Sequence, residues 1–332
     1  MKVILSRKGF DSSYGGYPSI ILPSGKMISF PIPEANPNCE ITEAKNLFYT
    51  LDAGRRLSLE DIFYQLKIID KINIPEFSQS REKVPCRKGM KWEFKGEKHR
   101  TVFHYDPQIQ DVLQKISDSN EIQNNYAAFG QSGAAASHLL NYKKGIREGI
   151  QKDDVFLFFG TFKYVNKELT SYGDEFHALW GYMIVDEIFY IKENGNIRIK
   201  ENNDFKPVSD DDLKKMGYNN LAEHPHLKNI KTNYVEKKNN IIICSQPGRF
   251  GTFEFNTNKH RLTTTTPNKT KSWWRFNHPC LNNKKITYHN NKISISEDFK
   301  SASIGQEFMI KEEFKLDDVI DWLKDLGVNG LR

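Results

Sequence analysis

The sequence predicts an α+β fold that is rich in strands, with a mixed or antiparallel sheet and a few packed helices. Two continuous apolar runs, 154–160 and 178–185, are typical of buried strands, because an amphipathic helix would interrupt them with polar residues. Between 239 and 296, short apolar stretches alternate with Asn, Gly, Pro and Thr, as in proteins with many short strands. Helices and strands do not alternate regularly, so a βαβ architecture is not expected.

The N-terminal elements are predicted to be strands joined by tight turns. Residues 2–6 predict an opening strand. Residues 19–22 and 27–32 predict a hairpin, because both stretches are apolar and Pro-Ser-Gly at 23–25 supplies a turn. The loop over 7–18, between the first strand and this hairpin, is rich in small and polar residues.

Helices are predicted at a few places only. Ser58 and Asp61 form the pattern of a capping box ahead of an apolar face. Asp106 followed by Pro107 is a strong helix start. A short helix fits residues 133–141. The last helix is predicted by an apolar face and a glycine stop: Leu316, Val319, Ile320, Leu323 and Gly327.

Composition excludes several classes of protein. With 38% hydrophobic and 27% charged residues the chain is globular rather than disordered. No apolar run approaches the roughly 20 residues that span a bilayer, and the apolar stretch at the N-terminus is too short for a secretory signal, so we expect a cytoplasmic protein with no membrane partner. The four cysteines lie far apart without a CxxC pair, so neither a disulfide framework nor a zinc ribbon is expected.

Positive charge is concentrated in two segments. The formal net charge is only +6, yet residues 255–296 contain no Asp or Glu, and residues 81–100 hold more Lys and Arg than Glu. Basic groups neutralise phosphates, and interleaved aromatic rings can stack on unpaired bases. The pattern indicates a face for DNA or a nucleotide, with Trp273, Trp274 and Arg275 as candidate contacts; a solvated lysine surface is the alternative.

The loop after the first strand is the most unusual local feature. Arg7 is expected to hold a phosphate, Asp11 to act as an acid or base, and Ser12 to contact the substrate. Gly15 and Gly16 let the backbone approach a ligand closely. The loop matches neither GxGxxG nor a P-loop, and a polar turn is the alternative interpretation.

Further candidates for catalysis lie at predicted turns and helix ends. His104 can transfer protons, and it lies beside Asp106, whose role is either capping or binding. Gln131 can contact a base edge or orient a water, and His138 follows it in a segment of small residues. Glu307 is a candidate acid or base. Close helix packing, with His138 at the edge of the core, is the alternative for this segment.

The second apolar run carries polar and aromatic side chains as well. His177 begins it, and Trp180 and Tyr182 flank a glycine, which inside a strand marks a bulge or a close approach. These residues are either a binding pocket or part of the core. The pair His224 and His226 lacks the ligand set of a zinc site, so we predict no metal site and identify no cofactor.

Seven segments together resemble one family, the bacterial and phage nucleotide modification associated domain of the third type. They occur in the family's order and cover nearly the whole chain: 6–19, 104–107, 129–139, 154–162, 177–183, 224–226 and 304–308. The resemblance implies a part in making or handling modified bases in DNA, encoded by a phage or mobile element and working beside other base-modification enzymes. It implies no particular reaction.

A weaker, fold-level similarity is to PUA-like barrels, in which an extruded base stacks on aromatic rings. Such a barrel core would comprise residues around 129–190 and 240–310 within a single composite domain, 1–332. Its pocket would be lined by Phe159, His177, Trp180 and Tyr182. The Asn- and Lys-rich stretches 191–209 and 228–240 would be surface excursions.

Three functions follow, in order of preference. The first is an enzyme, a transferase or hydrolase, that modifies a base in DNA or in a free nucleotide. The second is a non-catalytic reader that binds modified bases. The third is an effector, such as a nuclease, that senses modified DNA; it ranks last because no paired-carboxylate metal motif is visible.

Overall fold

The computed structural model describes most of the chain in well-placed segments. They are residues 1–10, 15–34, 44, 47–68, 81–86, 89–94, 102–109, 113, 126–140, 149–192, 194–202, 204–228, 239–289, 292–301, 307–310 and 313–328.

Strands dominate these segments, as predicted. They are β1 (Val3–Arg7), β2 (Ser19–Ile21), β3 (Met27–Ile28), β4 (Ile32–Glu34), β5 (Phe48–Thr50), β6 (Arg56–Ser58), β7 (Arg81–Cys86), β8 (Gly89–Phe94), β9 (Val102–His104), β10 (Ala127–Gln131), β11 (Val155–Val165), β12 (Ser171–Ile184), β13 (Glu187–Ile191), β14 (Ile197–Glu201), β15 (Asp204–Pro207), β16 (Asn240–Ser245), β17 (Phe250–Thr252), β18 (Trp273–Trp274), β19 (Phe299–Lys300) and β20 (Glu307–Met309). The helices are α1 (Leu59–Gln65), α2 (Gly133–Leu140), α3 (Asp210–Lys215), α4 (Pro225–Lys228), α5 (Thr257–His260) and α6 (Leu316–Asp325).

The first sheet has seven strands and is mixed. Five of its strands lie in the order β17-β12-β11-β1-β20. The strand β2 also pairs with β11, and β3 pairs with β2. β1 runs parallel to β11 and antiparallel to β20, which places Ser6 directly opposite Glu307. The beginning, the middle and the end of the chain therefore meet on three neighbouring strands.

The two apolar runs become the long central hairpin of this sheet. β11 and β12 pair antiparallel, with an irregularity between Phe158 and Phe159. Most of β11 and the second half of β12 are buried, which explains the continuous apolar sequences of these parts.

The second sheet has five antiparallel strands in the order β10-β16-β13-β14-β15. It packs against the first sheet through an apolar layer, here called the inner core, that includes Ile4, Phe156, Phe158, Phe129, Ile241 and Ile243. The other face of the first sheet is covered by α6 and the segment around β18; this layer is the outer core and includes Leu5, Phe159, Leu179, Trp274, Phe308 and Trp322.

The predicted α+β class with a mixed sheet is confirmed, while the strands that the structure describes do not close into a PUA-like barrel. The two candidate barrel regions are divided between the two sheets instead, because β10 and β16 pair with each other and not with β11 or β12.

Several local predictions are confirmed and some are wrong. The capping box at Ser58 and Asp61 begins α1, and α6 ends before Gly327 at a left-handed backbone. The stretch 191–209 forms β14 and β15 at one edge of the second sheet, and most of its described residues are exposed or partly exposed, whereas residues 229–238 of the second such stretch lie outside the described residues. Not all of the short stretches between 239 and 296 become strands: Thr257–His260 is α5, and Lys285 with Lys292 and Ile286 with Ile310 form isolated bridges. Among the described helices, none has the length and apolar character needed to cross a bilayer.

Candidate functional site

Five polar side chains meet at the end of β1, on the side of the inner core. They are Ser6, Lys8, Asp106, Gln131 and Glu307, and we call them the polar cluster. They come from four separate parts of the chain, because Ser6 and Lys8 lie together at the end of β1. Ser6, Lys8, Gln131 and Glu307 are all buried, and the side chain of Asp106 is 12% exposed.

Glu307 is the centre of the polar cluster. Its carboxylate accepts a hydrogen bond from the Gln131 side-chain amide and a longer one, 3.4 Å, from the Ser6 hydroxyl. The pKa of Glu307 is raised to about 7, mainly by burial and in part by the negative charge of Asp106. The positive charge of Lys8 and the two hydrogen bonds act in the opposite direction. The carboxyl group is therefore close to half protonated at neutral pH.

Lys8 and Asp106 form an ion pair beside this carboxyl group. The Lys8 ammonium lies 3.0 Å from one carboxylate oxygen of Asp106, and the other oxygen accepts a hydrogen bond of 3.0 Å from the Gly130 N–H. The ammonium also lies 4.8 Å from the ring centre of Phe129. Asp106 thus connects the end of β1 to the residue before Gln131.

His226, on α4, supports the cluster from beside β10. Its ring contacts Gly130, at which a β-carbon would come within 2.2 Å of the ring. The ring itself is held by Asn240, which bonds to both its Nδ1 and its backbone carbonyl. His224 and His226 therefore have a structural role here, since the backbone N–H of His226 also donates to His224 Nδ1.

Replacing Gly130 by Ala is expected to destabilise the protein by about 1–3 kcal/mol, because the added methyl group must displace the His226 ring. Urea unfolding measures this loss. The His226→Ala background is the control: without the ring, Gly130→Ala should cost clearly less. Equal costs in both backgrounds would show that the contact does not matter.

Arg7 and His177 lie on the opposite face of the first sheet. The Arg7 guanidinium lies 5.7 Å from the ring of Phe159, in the outer core. His177 is buried there, and its Nδ1 accepts a hydrogen bond of 3.0 Å from the Trp274 indole. Burial lowers the pKa of His177 to about 3, with contributions from the charges of Arg7 and Lys271, so the ring is neutral at physiological pH.

The predicted aromatic contacts are core residues for the most part. Trp180, Tyr182 and Trp274 are between 0% and 8% exposed and pack on other aromatic rings. None presents an open face for a base. Trp273 is half-buried, with the Lys269 ammonium 3.6 Å from the centre of its ring.

The basic segment 255–296 finds its acidic partners elsewhere in the chain. Lys259 pairs with Asp325, Lys271 with Glu175, and Arg275 with Asp298 at 2.8 Å. Its positive charge is therefore partly neutralised. A small polar pocket remains between this segment and α6, lined by residues that include Asn258, Arg261, Arg275, Asn277 and His278.

The remaining candidates divide into placed and unplaced residues. Gly15 and Gly16 both have positive φ, and Gly15 lies against the ring of Phe10, where a β-carbon would clash. His138 lies on α2, with its ring 5.4 Å from that of Tyr288. Asp11, Ser12 and the side chain of His104 lie outside the described residues.

The structure thus brings Gln131 and Glu307 together and separates both from Arg7 and His177. Sequence reasoning missed Ser6 and Lys8, although both belong to the first family-like segment. The alternation of side chains along a strand could have identified them. On β1, Ile4 faces the inner core and Leu5 faces the outer core. Ser6 and Lys8 therefore continue the inner face, and Arg7 continues the outer face. Among the described residues, no group of three or more His, Cys, Asp or Glu is placed to hold a metal ion.

Comparison with protein families gives one match. The model of nucleotide modification associated domain 3 covers residues 2–311, which include every member of the polar cluster. Comparisons with curated proteins and with solved structures gave no match. Because the matched region spans nearly the whole chain, this protein belongs to the nucleotide modification associated domain 3 family, whose name connects it with nucleotide modification.

Proposed function

We propose that this protein is an enzyme that modifies a nucleotide, either free or in DNA, and that Glu307 moves a proton in the reaction. The observation that carries the proposal is the polar cluster. A general acid or base works best when its pKa lies near the working pH, and burial brings Glu307 to that range.

The other members of the cluster have supporting roles in this proposal. Gln131 and Ser6 hold the Glu307 carboxyl group in one orientation. The Lys8 ammonium is fixed by Asp106 and supplies positive charge next to Glu307, where negative charge on a substrate or a transition state would be stabilised. The partners we infer are DNA or a nucleotide and, from the family, other base-modification enzymes.

A non-catalytic reader has less support. It depends on an aromatic pocket at Phe159, His177, Trp180 and Tyr182, and these side chains are buried among their neighbours. Enzymatic modification is therefore the better inference.

Nucleoside mass spectrometry of host DNA and of the nucleotide pool tests the proposal. We expect a modified nucleoside that disappears, or changes mass, when the gene is deleted and returns with the wild-type gene. The mass difference names the reaction class. A modified nucleoside whose amount and mass do not change when the gene is deleted would contradict the proposal and favour a reader or an effector.

A further inference from the structure

An exposed tyrosine stands beside the polar cluster. Tyr288 is 54% exposed, unlike the buried aromatic residues around it. Its loop is fastened to β20: the Thr287 N–H donates to the Met309 carbonyl, and the Met309 N–H donates to the Thr287 hydroxyl, both at 2.9 Å. The ring of Tyr288 meets that of Phe308, the residue after Glu307, at 5.8 Å between centres.

The same ring also reaches α2, the helix that follows β10 and its last residue, Gln131. It lies 5.4 Å from the ring of His138 on α2, which begins two residues after Gln131. Tyr288 therefore contacts the neighbour of Glu307 on β20 and a residue of α2, the helix that follows Gln131. Partial burial and the charge of Glu307 raise the pKa of the Tyr288 phenol, as expected for a ring near that carboxyl group.

The backbone of Tyr288 is also unusual. Its φ is +67°, a left-handed conformation that a bulky side chain rarely adopts and that costs about 1–3 kcal/mol. The fastened loop maintains this conformation, and the result is an aromatic ring held at the surface next to a buried carboxyl group.

We propose that Tyr288 is the platform on which an unpaired nucleobase stacks, so that the base lies next to Glu307. The proposal rests on the proposed function and narrows it to a substrate with an accessible base face. Stacking on an aromatic ring is worth about 1–3 kcal/mol per base. Bases in a duplex have both faces covered, so the substrate is a free nucleotide or a base outside the helix.

Binding measurements on the full chain test the platform. The probes are the four deoxynucleoside monophosphates and one mixed-sequence oligonucleotide, offered single-stranded and as a duplex. We expect the single-stranded oligonucleotide or a mononucleotide to bind better than the duplex. Tyr288→Leu should weaken that binding about tenfold or more, whereas Tyr288→Phe, which keeps the ring, should bind like the wild type.

The chain offers a matched control in Tyr172, which is also 54% exposed and lies on β12 beside Tyr164. Tyr172→Leu should leave binding unchanged. If Tyr288→Leu does not fold, Tyr288→Trp replaces it: a bound base should quench the new indole, and an unchanged emission at saturating probe would overturn the proposal. Wild-type affinity in Tyr288→Leu, or no binding of any probe by the wild type, would overturn it as well.

Separate results would contradict the proposed role of Glu307 and the proposed role of Tyr288. Glu307→Gln should keep the affinity for the probe and lose modification. If Glu307→Gln keeps modification while Tyr288→Leu loses binding, the role of Glu307 is wrong and the platform stands. If Tyr288→Leu binds normally while Glu307→Gln is inactive, the platform is wrong and the role of Glu307 stands.

Discussion

Replacing Glu307 by Gln is expected to lower the rate of nucleotide modification by about 10²- to 10⁴-fold, the usual contribution of a general acid or base. The amide has nearly the same shape and keeps a hydrogen-bond partner for Gln131, but it cannot exchange a proton. Nucleoside mass spectrometry of cells that carry the variant in place of the wild-type gene measures the loss.

Glu187→Gln is the matched control. Glu187 lies on β13 in the second sheet, opposite Cys244, and burial raises the pKa of its carboxyl group as well. The same chemical change there should leave modification intact. Full activity in Glu307→Gln, or equal loss in both variants, would contradict the assigned role.

The Glu307 variant also has a signature in stability that does not depend on activity. The pKa of Glu307 rises from an ordinary value of 4.5 to about 7 on folding, so the folded protein holds its proton more tightly than the unfolded chain. Glu307 therefore makes stability fall by about 3 kcal/mol as the pH rises from about 4.5 to about 7. Urea unfolding across this range should show a shallower fall in Glu307→Gln.

Replacing Lys8 by Met is expected to destabilise the protein by about 3–5 kcal/mol, because the carboxylate of Asp106 is then left without its cation in a mostly buried position. Adding Asp106→Asn should restore part of the loss. Lys206→Met is the control, since Lys206 pairs with Glu201 at the surface, with both side chains about half exposed, and its removal should change stability little.

The same Lys8 variant should move the pH dependence of the reaction. The charge of Lys8 lowers the pKa of Glu307, so its removal shifts the Glu307 transition to higher pH. A rate profile that shifts upward in a folded Lys8→Met protein would support the coupling. An unchanged profile, together with unchanged stability, would show that the ion pair neither supports the fold nor influences Glu307.

Local sequence signals predicted the elements well where a short stretch determines them. The capping box at Ser58, the hairpin around 23–25 and the two central strands all depend on neighbouring residues, and all are present. The sheet order could not be predicted in this way. Ser6 and Glu307 lie 301 residues apart in sequence, and only the pairing of β1 with β20 brings them together.

The site was predictable in part for the same reason. Gln131 and Glu307 belong to family-like segments and do meet. Arg7 is more conspicuous than Lys8 in sequence, yet strand alternation directs it to the outer core. The sequence could not decide whether Asp106 caps a helix or forms an ion pair. Its partners Lys8 and Gly130 lie in distant parts of the chain.

The protonation of Glu307 can be followed directly by NMR. In protein labelled with ¹³C at the glutamate carboxyl carbon, the signal that is missing in Glu307→Gln identifies this residue, and its shift is recorded as the pH is changed. We expect a midpoint of about 7. A midpoint near the ordinary value of 4.5 would contradict a proton-transferring role for Glu307 at neutral pH, and with it the proposed site.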